Sequence, residues 1–157
     1  MTLYHGTNTD FQAIDLAKSN PYKDFGRGFY LTSSIYAQAR EMADKRAKFY
    51  GGTPIVKTYD FDESLLTDGT VKVKIFDGVS VEWASFINKN RRRDSHYRHD
   101  FDIVVGPVAD DGVAYLLDRF NDGLIDLDEL AQELEYKELN NQYYFGTLRA
   151  IQLLKAV

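Results

Sequence analysis

The sequence of 157 residues is long enough for one domain with a substantial hydrophobic core and short for two. It contains no cysteine, which excludes disulfides and thiolate catalysis, and its formal net charge of −5 argues against broad, non-specific binding of nucleic acid. No apolar run approaches a membrane span and no signal-peptide pattern opens the chain, so we expect one cytoplasmic domain over residues 1–157 that does not enter a membrane.

In chain order, the first half of the sequence predicts two strands separated by a long connection, and then a helix. TLYHG at 2–6 is typical of a short strand. Residues 7–28 show neither the alternation of a strand nor the repeat of an amphipathic helix, and they contain turn residues throughout. FYLTSS at 29–34 predicts a second strand, after which a serine can cap a helix that ends at the glycine pair 51–52. Further strands are predicted at residues 54–62 and 70–78.

The second half predicts helices around a buried strand. FDIVVGPVA at 101–109 is almost entirely apolar, which is typical of a central strand. Helices are predicted at about 80–90, 111–120 and 126–136, and another strand at 141–147. The segment LRAIQLLKAV that follows is compatible with a helical turn or a strand. Because strands and helices do not alternate as βαβ units, the sequence predicts an α+β fold with a largely antiparallel sheet.

Two short segments contain residue types that suit a ligand site. LYHGT places His5 and Gly6 at a strand end, where an imidazole can face a cleft and a glycine lets a ligand touch the backbone. GRGFYLT puts glycines on both sides of Arg27 just before a strand. Each segment alone also fits a purely structural explanation. The histidine of LYHGT would then simply hydrogen-bond the backbone, and the glycines of GRGFYLT would form a bulge at the start of the strand. They become informative when they are read together with the last strand.

LYHGT, DFGRGFYLTSS followed by a helix, and NQYYFGT together resemble the signature of the ADP-ribosyltransferase fold. The match is to its branch with a His, a Tyr and a third acidic or amide residue. More narrowly, LYHGT, KDFGRGFYLT, EWASFINKNR, FDIVVGPVADD and QYYFGT in that order resemble the bacterial DUF3990 family of that clan. The resemblance extends from Leu3 to about Leu154, and it implies a split antiparallel sheet with flanking helices.

The resemblance also implies a mono-ADP-ribosyltransferase that takes NAD as its substrate, without a metal. Such an enzyme releases nicotinamide through an oxocarbenium-like transition state, by positioning and electrostatics, and transfers ADP-ribose to a macromolecule. The implied setting is a bacterial toxin or defence module with an antitoxin as partner, and the acceptor is protein or nucleic acid. Two alternatives stay open: an NAD glycohydrolase that uses water, and an inert module that binds NAD, ADP-ribose or nucleic acid.

By the same resemblance, His5 bonds the adenosine ribose, Gly6 offers its backbone to the carboxamide, and Tyr30 stacks on the nicotinamide ring. Gln142 occupies the third position, where many transferases have glutamate. An amide supplies a hydrogen bond and no charge, so replacing it with glutamate is expected to retain or raise turnover. The remaining expected contacts are Arg27 at the pyrophosphate, Gly28 in shaping the approach, Ser33 at the ribose or carboxamide, Met42 in place of a second stacking aromatic, and Glu138 as a substitute carboxylate.

NKNRRRDSHYRHD at 88–100 is a basic segment in an otherwise acidic protein. It contains four arginines, one lysine and two histidines. The segment is either a solvated loop or a surface that steers a polyanionic acceptor or the NAD phosphates toward the cleft. Its histidines, His96 and His99, lack a fourth ligand of definite spacing, so we expect no metal there.

DRFNDGLIDLDE at 118–129 partly resembles a calcium-binding loop. Several of its acidic positions fit, but Phe120 occupies a ligand position and no second loop accompanies it. We therefore expect a turn at the NDG sequence, followed by a helix that Asp126 caps.

Overall fold

The computed structural model describes residues 1–135, 137 and 139–157, and strands from both halves of the chain join one curled sheet. The strand order is β4-β5-β6-β2-β1-β3-β7. Strands β4 and β5 are parallel and the other neighbouring pairs are antiparallel, which confirms the α+β class and the largely antiparallel sheet. The strands are β1 (Thr2–Thr7), β2 (Phe29–Thr32), β3 (Ile55–Asp60), β4 (Val73–Ile75), β5 (Ile103–Pro107), β6 (Asn141–Phe145) and β7 (Lys155–Ala156).

Helices flank the sheet, close to the predicted positions. They are α1 (Glu41–Tyr50), α2 (Val81–Arg91), α3 (Asp111–Asn121), α4 (Leu127–Leu134) and α5 (Leu148–Ile151). The C-terminal segment that fitted both a helical turn and a strand contains one of each, α5 and then β7. Within the ranges that the structure describes, no helix is both long and apolar enough to cross a membrane.

Side chains that alternate along the strands build a hydrophobic core on each face of the sheet. Val104 and Tyr144 belong to the core that α2, α3 and α4 cover, whereas Ile103 and Phe145 belong to the core on the opposite face. All five residues of β5 are buried, as its apolar sequence predicts for a strand with neighbours on both sides. The sheet is therefore the layer that both cores share.

The sheet is weakly joined between β2 and β1. Tyr4 lies opposite Thr32, whereas β1 pairs with β3 along its whole length, from Thr2 to Thr7. Beyond the Tyr4–Thr32 pair, the imidazole of His5 reaches the Tyr30 carbonyl with Nδ1 at 2.7 Å from the oxygen. The two strands thus diverge next to residues that the sequence singles out for a ligand site.

The helix that follows β2 begins with a π-helical turn, Ile35–Arg40, which leads into α1. Ser34 caps this turn, because its Oγ accepts a hydrogen bond from the Ala37 N–H at 3.2 Å. A Cβ added to Gly6 would lie 1.9 Å from the Ala39 carbonyl oxygen, so the turn packs directly on β1. Glycine at position 6 is therefore required by packing, and the helix forms one wall of the gap between the strands.

Candidate functional site

A cavity of about 530 Å³ opens where β1 and β2 diverge. Its walls come from these strands, from the π-helical turn and α1, from residues 108–111 and from the start of β6. This volume falls within the roughly 300–1,000 Å³ that is usual for small-molecule sites. Five of the residues that the sequence singles out line it: His5, Gly6, Tyr30, Met42 and Gln142.

His5 is a neutral imidazole whose second ring nitrogen, Nε2, can accept a hydrogen bond from a ligand. Its Nδ1 lies 2.7 Å from the Tyr30 carbonyl oxygen, which can only accept, so Nδ1 carries the hydrogen. Burial lowers the pKa of His5 from 6.5 to about 4, with a smaller contribution from nearby Lys23 and Arg46. At neutral pH, Nε2 is therefore an unprotonated acceptor, suited to a hydroxyl group and unsuited to neutralising an anion.

Tyr30 is fixed at both ends of its side chain. Its hydroxyl donates to the Gly26 carbonyl at 2.6 Å and accepts from the Phe25 N–H at 2.9 Å. Its ring packs edge-on against Tyr144, with 5.3 Å between the ring centres, and the Lys23 ammonium lies 5.1 Å from its ring centre. Burial raises the pKa of Tyr30 well above 10, so the residue is a neutral phenol. A flat ligand that stacks on this ring has to move the Lys23 side chain aside.

Two hydrogen-bond acceptors fix the orientation of the Gln142 side-chain amide. Its Nε2 donates to Asp24 Oδ2 at 2.9 Å and lies 3.4 Å from the Pro107 carbonyl oxygen. Because both neighbours can only accept, the amide group cannot be turned over without losing these bonds. Oε1 makes no hydrogen bond within the described part of the chain and is not a buried unsatisfied atom, so it is accessible from the cavity.

Asp24 is a site residue that the sequence analysis missed. Its side chain is buried and accepts from Arg91 Nε at 2.7 Å, from the Ala109 N–H at 3.3 Å and from Gln142. It thereby ties the long connection before β2 to α2 and to β6. Only the position of Asp24 inside the motif KDFGRGFYLT hinted at this, since its partners lie 67 and 118 residues away in the chain.

Basic side chains also line the cavity, although not the one that was predicted. Lys23, Lys45 and Arg46 are part of its wall, and Lys45 is paired with Glu41 at 3.0 Å. Burial and, secondarily, the charge of Arg46 lower the pKa of Lys23, and both side chains line the same cavity. Lys23 and Arg46 are thus the positive groups available to an anionic part of a ligand.

Three predicted contact residues lie outside this cavity. Arg27 is exposed and lines a second cavity of about 340 Å³. A Cβ added to Gly28 would lie 2.1 Å from Cε2 of Tyr144, so this glycine makes room for an aromatic ring. Ser33 is exposed and does not line the cavity, and the helix cap is its neighbour Ser34. Packing and local structure therefore account for Gly28 and for the serine pair.

The remaining sequence candidates have other outcomes. Glu138 lies outside the described residues. His99 Nε2 lies 2.6 Å from the Phe25 carbonyl oxygen, and His96 is exposed in a left-handed turn. Asp126 caps α4 in a capping box with Glu129, as predicted. Within the described ranges, no group of three or more His, Asp or Glu side chains is arranged to hold a metal ion.

Comparison with known proteins adds a family and nothing beyond it. The model of a family described as a protein of unknown function (DUF3990) matches residues 1–156. No curated protein and no solved structure matches the chain significantly.

Proposed function

The chain belongs to the DUF3990 family, as the order of its motifs predicts, and from its cavity we propose that it is an NAD-dependent mono-ADP-ribosyltransferase of the ADP-ribosyltransferase fold. It would cleave the bond between nicotinamide and ribose and transfer ADP-ribose to a macromolecule. The observation that carries this proposal is the convergence of His5, Tyr30 and Gln142, from three strands, on one cavity where β1 and β2 diverge.

The polar groups of the cavity suit the parts of NAD. His5 Nε2 would accept a hydroxyl of the adenosine ribose, because its neutral tautomer leaves that nitrogen free. Tyr30 would stack on nicotinamide, a contact worth about 1 kcal/mol beyond the buried area. Lys23 would then leave the ring and, with Arg46, meet the pyrophosphate, which replaces the predicted role of Arg27.

Gln142 would act by orientation rather than by charge. Its Oε1 would accept the 2′-hydroxyl of the nicotinamide ribose, with Nε2 held by Asp24. The Asp24 carboxylate is hydrogen-bonded to the Nε2 side of this amide, away from the ribose. Its ion pair with Arg91 offsets most of the negative electrostatic potential that the carboxylate would produce at the ribose. We therefore expect bond cleavage to depend on positioning more than on a negative charge beside the developing cation.

The direct test is transfer of label from NAD to macromolecules of a bacterial lysate. Wild-type protein should transfer label, and Tyr30→Ala should lower transfer about 100-fold, since it removes the stacking ring. Tyr30→Phe keeps the ring and loses its two hydroxyl bonds, so it should lose less. Ser33→Ala, at an exposed position outside the cavity, is the matched control and should be unchanged.

Other outcomes identify the alternatives. Release of nicotinamide at the same rate with and without acceptor would identify an NAD glycohydrolase. Calorimetric binding of NAD without any release would identify an inert binding module. If NAD does not bind, the proposal fails.

The setting as a bacterial toxin or defence module with an antitoxin rests on the family resemblance alone and would be tested by expressing the chain with and without its genomic neighbour.

A further inference from the structure

The second cavity is bounded by the connection before β2 and by the basic segment 88–100. It has a volume of about 340 Å³ and includes Arg27, Asn90, Tyr97, Arg98 and Tyr144 in its wall. Two of these are cations and two are aromatic, and no described residue of this wall is acidic although the net charge of the chain is −5. The cavity takes no part in the proposed NAD site.

Four exposed cations around this cavity have no acidic partner in the described part of the chain. Arg91 and Arg92 of the basic segment are paired, with Asp24 and Asp94 respectively. Within the residues that the structure describes, the other exposed cations of this surface form no ion pair with a carboxylate. They are Arg27 and Arg98, which line the cavity, and Lys89 and Arg93, which lie against the rings of Tyr97 and Tyr22. Four uncompensated positive charges on an acidic protein favour an anionic ligand.

Aromatic rings are interleaved with these cations. The Arg93 guanidinium lies 4.6 Å from the ring centre of Tyr22, and the Lys89 ammonium lies 5.6 Å from that of Tyr97. Unstacked bases bind on aromatic rings and on arginine planes, while cations beside them track the phosphates. An acidic peptide or a lipid headgroup would use the charges and leave the rings without a role.

We propose that this basic–aromatic surface, formed by Arg27, Lys89, Arg93, Arg98, Tyr22 and Tyr97, binds single-stranded nucleic acid. The ligand would place its phosphates against the four cations and at least one base against Tyr97 or Tyr22. The surface lies next to the proposed NAD cavity, because the ring of Tyr144 in its wall packs at 5.3 Å on the ring of Tyr30 in the other wall. Binding does not depend on ADP-ribosyl transfer, so the proposal stands or falls without it.

The test is fluorescence anisotropy of labelled 12-nucleotide dT and rU strands with the full chain, in 50 mM salt and without NAD. Log affinity should fall with log salt at a slope of about −2 to −3, as expected for three or four phosphate contacts on a single strand. The double variant Arg27→Ala/Arg98→Ala should bind at least about 10-fold more weakly, with a slope smaller by about 1.4. Lys48→Ala, an exposed lysine of α1 without an ion pair in the described chain, is the matched control and should bind like wild type.

Variants at the rings separate base stacking from general attraction of anions. Tyr97→Leu should weaken binding about 5-fold or more at an unchanged salt slope, since it removes a stacking surface and no charge. Tyr22→Leu serves the same purpose if thermal melting shows that Tyr97→Leu is unfolded. Absence of strand binding at 50 mM salt, an equal loss in Lys48→Ala, or heparin binding as tightly as the strands with no effect of either tyrosine variant would each overturn the proposal.

Discussion

The walls of the two cavities touch through the rings of Tyr30 and Tyr144, but the cavities hold their polar groups in opposite ways. Around the first, His5 is bonded to a carbonyl, Tyr30 to two backbone groups and Gln142 to a buried carboxylate. Around the second, Arg27 and Arg98 are exposed and form no ion pair with any carboxylate that the structure describes. The first arrangement fixes the positions of individual polar atoms before a ligand binds, as the catalysis of bond cleavage requires. The second leaves flexible charges that suit a ligand of variable shape.

Asp24→Ala should give the largest change, because Asp24 holds more of the first cavity than any residue predicted from the sequence. The substitution would leave Arg91, the Ala109 N–H and the Gln142 amide without their acceptor. We expect a loss of about 3 kcal/mol of unfolding free energy, at the low end for a broken buried ion pair because Arg91 is partly exposed. Urea denaturation measures it. Asp24→Asn retains an oxygen acceptor and should lose less; a loss within about 0.5 kcal/mol in Asp24→Ala, as for an ordinary surface substitution, would show that the carboxylate is not the holding group.

The neutral state of His5 should appear as a dependence of stability on pH. Its pKa in the folded protein is about 4 and in the unfolded chain about 6.5, so the unfolded state binds the proton first. Stability should therefore be complete above pH 6.5 and fall by up to about 3 kcal/mol as the pH is lowered toward 4. Melting temperatures between pH 7.5 and 4.5 should show a steeper decline in wild type than in His5→Gln. His96→Gln, at an exposed histidine, should follow wild type, and parallel curves for all three proteins would contradict a buried neutral His5.

Gln142→Glu tests the orientation of the amide. The sequence resemblance predicts retained or raised turnover, but the structure places the new carboxylate beside Asp24, where Nε2 now lies 2.9 Å from Oδ2. Two carboxylates at that distance repel each other, and the pKa of one is raised. The variant should thus match wild type near pH 4 and be less stable by on the order of 2 kcal/mol at pH 7, with lower transfer.

Calorimetry at these two pH values checks this prediction. Gln142→Met keeps the size of the side chain without charge, so its stability difference from wild type should be independent of pH. If the glutamate variant is also insensitive to pH, the contact between position 142 and Asp24 is not as described.

Arg98→Ala should give the smallest effect on stability and so sharpen the contrast between the two cavities. Arg98 is exposed and donates to the carbonyl of the adjacent Tyr97 at 2.7 Å. The unfolding free energy should stay within about 0.5 kcal/mol of wild type, as for most surface substitutions. Urea denaturation under the conditions used for Asp24→Ala measures the unfolding free energy of both variants. A loss comparable to that of Asp24→Ala would show that Arg98, like Asp24, is part of the hydrogen-bond network that stabilises the fold.

Most of the fold could be predicted because strand period, apolar runs and turn residues are local signals. The apolar run in FDIVVGPVA and the glycine pair after α1 each led to the correct element. The convergence of His5, Tyr30 and Gln142 was also predictable, through the order of the motifs. Strand lengths were less so: the segment predicted as a strand at 70–78 pairs only over Val73–Ile75 within the described chain, since pairing depends on the neighbouring strand and not on local alternation.

What the sequence concealed are the contacts between distant residues. Nothing local to Asp24 shows that Arg91 and Gln142 are its partners, because their meeting depends on how three elements pack. Arg27 was assigned to the pyrophosphate by its nearness in sequence to Tyr30, yet its side chain lies at the second cavity, while Lys23 reaches the ring. Sequence distance therefore identified the right loop but not which cation of that loop lines the first cavity.

The ring pair of Tyr30 and Tyr144 joins the walls of the two cavities. The Tyr30 hydroxyl is bonded to the backbone of Gly26, which also belongs to the wall of the second cavity. A ligand that shifts Tyr30 in the first cavity would therefore act on the wall of the second. By linkage, whatever factor an occupied first cavity applies to affinity at the second is returned in full when the order of binding is reversed.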